Sequence, residues 1–181
     1  MQSYKEFKKG YLNEWVEKSQ AARKAAEELA MKDSTSLSDR YKEEGLIFTL
    51  GGHKVELKGE NEKNSDGDIY FTWDEAIKRF GEADKDGWRL PTKEELNDLC
   101  NYPYKFKDKQ GVLDNRLSLP AAGFRTCDGN VYCVGSEGNY WSSTSGGSHL
   151  AWDLNFNSDG VYMYGLARCD GQSVRLVRDV K

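Results

Sequence analysis

A covalent or acid–base mechanism would need a His or a tuned carboxylate beside a Ser, Cys or Thr. The chain holds two histidines, His53 and His149. His149 follows Ser145-Gly146-Gly147-Ser148, a run with nothing to orient an imidazole, so it reads as an exposed loop residue. Cys100, Cys127, Cys133 and Cys169 lack CxxC spacing, and the histidines lie far apart in sequence. Zinc is therefore not supported, and mostly free thiols are expected. Asp84, Asp86 and Glu95 imitate positions 1, 3 and 12 of an EF-hand loop, but Gly87 falls at position 4 where the loop needs glycine at 6. Pro91 also interrupts that stretch. Asp66 and Asp68 could hold a cation loosely, although such loops are ordinarily solvated turns. No glycine run has dinucleotide-binding or P-loop spacing. No catalytic residue, metal or cofactor is expected.

The stretch from His149 to Asp170 has a different character. His149, Trp152, Asp153, Tyr162, Tyr164 and Asp170 lie there among Ser, Gly and Asn. Tyrosine supplies contact area at low entropic cost, and small polar residues supply adaptable hydrogen bonds, as in antibody paratopes. The same tyrosines also fit one face of an ordinary strand. Composition leaves both readings open.

The elements that must position these residues can be read from periodicity. Tyr4, Phe7, Tyr11, Trp15, Ala22, Ala25 and Leu29 recur at helical spacing, which predicts one helix over 3–32. Lys18 and Glu14 break a heptad seam, so a long coiled coil is not expected. That helix either packs on the following domain or serves attachment and oligomerisation. A polar linker, 33–39, follows, and the chain divides into a helix with linker over 1–40 and a domain over 41–181. Leu46 to Leu57 reads as a hairpin broken at Gly51-Gly52, and Lys58 to Asp68 as an exposed loop. Thr72 with Glu75 and Thr92 with Glu95 form capping boxes that open two short helices. Phe124 to Val134 reads as a hairpin about Asp128-Gly129, a pair suited to a type I′ turn. Alternating runs follow at Leu150–Phe156 and Val161–Leu166, with Asn157–Gly160 as the turn between them. A last run, Ser173–Arg178, sets Val174 and Leu176 on one face. Helices followed by short antiparallel strands make an α+β layout.

With 38% hydrophobic, 12% aromatic and 31% charged residues, the chain has the composition of a globular protein. Its net charge of −4, with acids interleaved among the Lys and Arg, argues against a nucleic-acid partner. No apolar run reads as a membrane span or a signal peptide.

Five motifs appear in order: Phe71-Thr72-Trp73-Asp74-Glu75-Ala76, Gly87-Trp88-Arg89-Leu90-Pro91-Thr92, Leu119-Pro120-Ala121-Ala122-Gly123, Tyr140-Trp141-Ser142-Ser143-Thr144 and Ser173-Val174-Arg175. Together they resemble bacterial and phage proteins of C-type-lectin-like fold, a group that includes the formylglycine-generating enzyme scaffold. They are most similar to variable proteins of diversity-generating retroelements, such as phage tropism determinants. The resemblance spans roughly residues 45–179.

It implies a variable region over about 140–179, diversified by mutating template adenines, often in AAY codons. Such codons reach many residue types, though not Lys, Glu, Gln, Met or Trp. Ser148, His149, Leu150, Asp153, Tyr162, Tyr164, Gly165, Leu166, Ala167, Cys169 and Asp170 belong to the reachable set. Trp152, Met163 and Gln172 do not, and would be fixed. The reachable residues, with Trp152 beside them, are the candidates for ligand contact. Cys169 would then be a product of diversification with no redox role. Strand alternation sets Tyr162, Tyr164 and Leu166 on one face, with Val161 and Met163 toward the core.

The expected function is non-covalent binding of a protein or glycan ligand on a target cell, from a virion or bacterial surface. No membrane insertion is expected, and a homo-oligomer is compatible with the resemblance. An invariant carbohydrate-binding module, with Trp152, Tyr162 and Tyr164 stacking on sugars, is the first alternative. A cysteine-dependent oxidase is the second, disfavoured because no matched cysteine pair can be placed.

Overall fold

Two glycines start the fold. β1 (Ile47–Leu50) and β2 (His53–Leu57) pair antiparallel with Leu50 opposite His53, which leaves Gly51-Gly52 as a two-residue turn. Both glycines have positive φ, 59° and 81°, as a type I′ turn requires. This computed structural model describes residues 45–180, so the expected helix over 3–32 and the linker over 33–39 lie outside the described residues.

The helices α1 (Trp73–Phe80) and α2 (Lys93–Leu99) begin at the expected caps. In each, the threonine hydroxyl accepts from the glutamate amide, and the glutamate side chain accepts from the threonine amide. Trp73 and Ala76 of α1 are buried, as are Leu96 and Leu99 of α2.

Among the described residues the strands make four small antiparallel sheets. β3 (Tyr104–Lys107), β4 (Gln110–Leu113) and β5 (Leu117–Pro120) form a meander. β6 (Phe124–Arg125) and β7 (Val131–Tyr132) form a short hairpin. β8 (Gly138–Ser145), β9 (Leu150–Asn157) and β10 (Gly160–Ala167) form the longest sheet, with β9 in the middle. β11 (Val177–Asp179) joins β2, so the C-terminal end closes onto the first hairpin. Together with the two helices this is an α+β arrangement.

The β8–β10 sheet separates two cores. Tyr140, Leu154 and Phe156 point into a cluster with Phe48, Leu50, Leu96 and Leu117. Their strand neighbours Trp141 and Ala151 point the other way, into a cluster with Phe71, Trp73, Leu90, Val174 and Leu176. Polar residues pin the layers together. Trp141 Nε1 donates to Phe71 O, and Trp73 Nε1 donates to Ser142 O, each at 2.8 Å. Buried Arg175 donates to the carbonyls of Lys58 and Gly59 and to Asn61 Oδ1. The loop expected at Lys58–Asp68 is thus strapped to the domain along its first part.

Three expectations change. The β6–β7 register pairs Arg125 with Val131, so the loop spans five residues, 126–130, and among them only Gly129 has positive φ (93°). A two-residue type I′ turn at Asp128-Gly129 is therefore not formed. In the Ser173–Arg178 run Val174 and Leu176 share a face as expected, but the strand starts only at Val177. Ser173 to Val177 are all buried, because Ser173 bridges Tyr140 while Val174 and Leu176 fill the second core. Finally, β9 lies between two neighbours and buries Asp153 and Asn155 along with its apolar residues.

Candidate ligand-binding face

The register of β9 with β10 decides which candidates share a face. Tyr162 lies opposite Asn155, Tyr164 opposite Asp153 and Leu166 opposite Ala151. The alternate pairs, Gly165–Trp152, Met163–Leu154 and Ala167–Leu150, belong to the other face. Val161 and Met163 pack against the first core, as the alternation predicts. Tyr162 and Tyr164 are exposed at 40% and 53%, with ring centroids 6.3 Å apart.

A cavity of about 360 Å³ opens on the tyrosine face. Tyr164 and Leu166 of β10 form one wall, and Asn155 and Asn157 of β9 with Asn139 of β8 line the sheet side. Phe124 of β6, Glu137 and Asp170 complete the rim. Phe124 also packs on exposed Tyr132, with centroids 6.0 Å apart, which extends the apolar rim outward. Asn155 Nδ2 donates to Asn139 Oδ1 at 2.8 Å and also to Glu137, and Asn139 Nδ2 donates to Glu137 Oε1 at 3.3 Å. The amides are thus held in fixed orientations.

Asp153 lies beneath this face. It is wholly buried, opposite Tyr164 on β10 and Trp141 on β8, and neither carboxylate oxygen has a hydrogen-bond partner. Burial pushes its carboxyl well above the usual range, and the negative charges of Glu137 and Asp170 add to the effect. Asp170 is also raised, by burial first and then by Asp128, while the Cys127 amide donating to it at 3.1 Å acts in the opposite direction.

Cys127 and Cys169 form a disulfide with Cα atoms 5.0 Å apart, which corrects the expectation of mostly free thiols and of a Cys169 without redox chemistry. It joins the β6–β7 loop to the segment after β10, beside Asp170. Spacing gave no hint of it, because 42 residues separate the two cysteines and only the fold brings them together. Cys100 and Cys133 are free.

The candidates therefore do not form one surface. Tyr164, Leu166 and Asp170 line the cavity, Tyr162 stands next to it, and Cys169 braces its rim. Asp153 faces the same way but has no exposed surface. Leu150, Trp152, Gly165 and Ala167 belong to the opposite face, where Lys93 Nζ sits 3.4 Å from the Trp152 ring centroid. Ser148 and His149 are exposed in the loop between β8 and β9. Sequence reasoning missed Phe124, Glu137, Asn139, Asn155 and Asn157. Asn139 and Asn155 did carry a signal, since asparagine is disfavoured inside strands and its presence there asks for a reason.

Other polar clusters have structural roles. Arg89 pairs with the buried Glu95 through two hydrogen bonds, 2.7 and 2.9 Å, and reaches Asp179 at 2.7 Å. Arg89 already neutralises the carboxylates that, with His53, could otherwise be taken for a cation site. Asp84 Oδ1 accepts from the amides of Asp86 and Trp88, so this aspartate shapes a turn. Asp68 pairs with Arg125; burial works to raise its carboxyl, but the Tyr70 amide and Arg125 hold it below the usual range.

No curated protein and no solved structure matches the chain. The profile of the Lcl C-terminal domain matches residues 15–178, which includes every strand and helix described above, save the last residue of β11, and both walls of the cavity. By that match, the chain belongs to the Lcl C-terminal domain family.

Proposed function

We propose that the chain is a ligand-binding domain of C-type-lectin-like fold, related to phage tropism determinants, that presents the β10 face to a protein or glycan on a target cell. The observation carrying this reading is the cavity beside two exposed tyrosines, with its amides oriented and its rim cross-linked. A concave, largely apolar site with a few fixed polar groups is the usual form of a binding pocket. Rigid aromatic side chains above it give affinity at low entropic cost. No reaction forms part of the proposal.

Diversification in a retroelement system fits the same geometry. Tyr162, Tyr164, Leu166 and Asp170 are reachable from AAY codons and stand on or around the cavity. Met163 and Gln172, which are not reachable, lie inward. The disulfide favours a working place outside a reducing cytoplasm, as on a virion or a bacterial surface.

Binding of the full chain to a panel of intact bacterial cells tests the reading. Tyr164→Ala and Tyr162→Ala should each weaken capture by the responding cells, whereas Leu150→Ala on the opposite face should not. Loss through Leu150 with no effect of the tyrosines would sink it. Diversification is tested separately in the flanking DNA, where a reverse transcriptase gene and an adenine-rich near-copy of the coding region for 140–179 should lie.

A further inference from the structure

We propose that the cavity takes a cationic side chain, an Arg or Lys of a protein partner, whose alkyl stem runs between Phe124 and Tyr164 and whose charged head pairs with Glu137 and Asp170 and favours the ionised form of Asp153 beneath them. This inference deepens the ligand-binding reading and rests on it. Three observations point to a cation. Among the described residues, the lining holds two carboxylates and no Lys, Arg or His. Behind it, Asp153 is wholly buried on the same face with both oxygens unpartnered, a condition that folded proteins rarely tolerate without purpose. The charged groups acting on it, Glu137 and Asp170, are both negative, so an ionised Asp153 would add to a cluster of like charge.

The walls fit the stem as the carboxylates fit the head. Phe124 and Tyr164 offer ring faces to a cation or its methylenes, and Leu166 adds apolar surface. Asn155 donates to Asn139 and to Glu137, and Asn139 donates to Glu137, which keeps Glu137 oriented for an incoming donor. An anion entering here would be repelled by the carboxylates, and a neutral donor would leave their charge uncompensated. A protonated amine or guanidinium supplies donors and charge together.

Titration calorimetry of the full chain with blocked arginine, Nα-acetyl-arginine-methylamide, tests the proposal, with blocked lysine and blocked citrulline beside it. Citrulline keeps the shape of arginine without the charge. Saturable binding of the arginine or lysine probe is expected, with citrulline weaker by about tenfold or more. Asp153→Asn and Asp170→Asn should each weaken the cationic probe by several-fold and leave citrulline unchanged. Equal affinity for citrulline, or cation binding untouched by both variants, would overturn the proposal. Tighter binding of glucosamine or of calcium ions than of either cationic probe would also overturn it. Failure of every probe, while cell capture still depends on Tyr162 and Tyr164, would remove the cation and leave the ligand-binding face standing. Cell capture indifferent to both tyrosines would remove the face itself.

Discussion

Tyr140 and Tyr164 stand on strands of the same sheet, yet almost nothing about their surroundings is shared. Tyr140 is buried, its ring stacks on Phe156, and its hydroxyl donates to Pro120 O at 2.9 Å while accepting from Asn61 at 3.0 Å. Burial pushes its phenol up to about 12. Tyr164 leaves half of its surface in water and meets Tyr162 on the rim of a cavity. The difference follows from position. β8 runs between β9 and the C-terminal segment, through the Tyr140–Ser173 bridge, and has a core on each side. β10 is the edge strand, with one face toward the first core and the other toward the opening, save at Leu166, which packs on the second core. Each of the five sequence motifs places buried residues in the first kind of environment. The frame thus holds its shape while the edge face can change its side chains at little cost in stability.

The largest expected effect tests that division directly. Trp141→Ala should lower unfolding free energy by about 3–5 kcal/mol, because it empties the second core and removes the hydrogen bond to Phe71. Tyr164→Ala should change stability by less than about 1 kcal/mol. Denaturant midpoints compare the two, and equal losses would mean that the edge face is part of the frame. Next in size is the disulfide. Cys127→Ser with Cys169→Ser should cost about 2–4 kcal/mol, read the same way with and without reductant. Cys100→Ser serves as the control, and reductant should not affect the double variant.

How much of this could be read in the sequence depended on the range of the interactions involved. Both capping boxes, the Gly51-Gly52 turn and the inward Val161 and Met163 were legible, since each depends on residues within a turn or two of chain. The pairing of Cys127 with Cys169 was not, because loop paths bring them together. The grouping of Leu150 and Trp152 with Tyr162 and Tyr164 failed for a related reason. Residue types show which positions resemble contact chemistry, but only the β9–β10 register assigns them to faces. Asp153 misled most. A charged residue in an alternating strand reads as solvent-facing, and here it lies under the cavity with no exposed surface. Asp170 was recognised, whereas its neighbours Phe124 and Glu137 arrive from the β6–β7 hairpin and the segment after it.

The smallest effect is also the most diagnostic, because it sets stability against binding at one residue. Asp153 ionises in the native state only above its raised value, whereas in the unfolded chain it ionises near pH 4. Between those two points the native state keeps a proton that the unfolded chain has released, so the contribution of Asp153 to stability falls as pH rises through that window. Below about pH 4 both states are protonated and nothing is lost. Asp153→Asn should therefore stabilise the protein at neutral pH, because the amide has no proton whose release favours the unfolded chain. The gain should be absent in acid, grow from about pH 4 and level off above the native value. Thermal unfolding of both proteins across pH 3–8 measures it. A frame residue replaced this way loses stability; a residue held for a ligand gains stability and loses binding. If Asp153→Asn is destabilising at neutral pH, then its carboxylate has a partner in the folded protein, and Asp153 belongs with Arg175 and Trp141 in the frame.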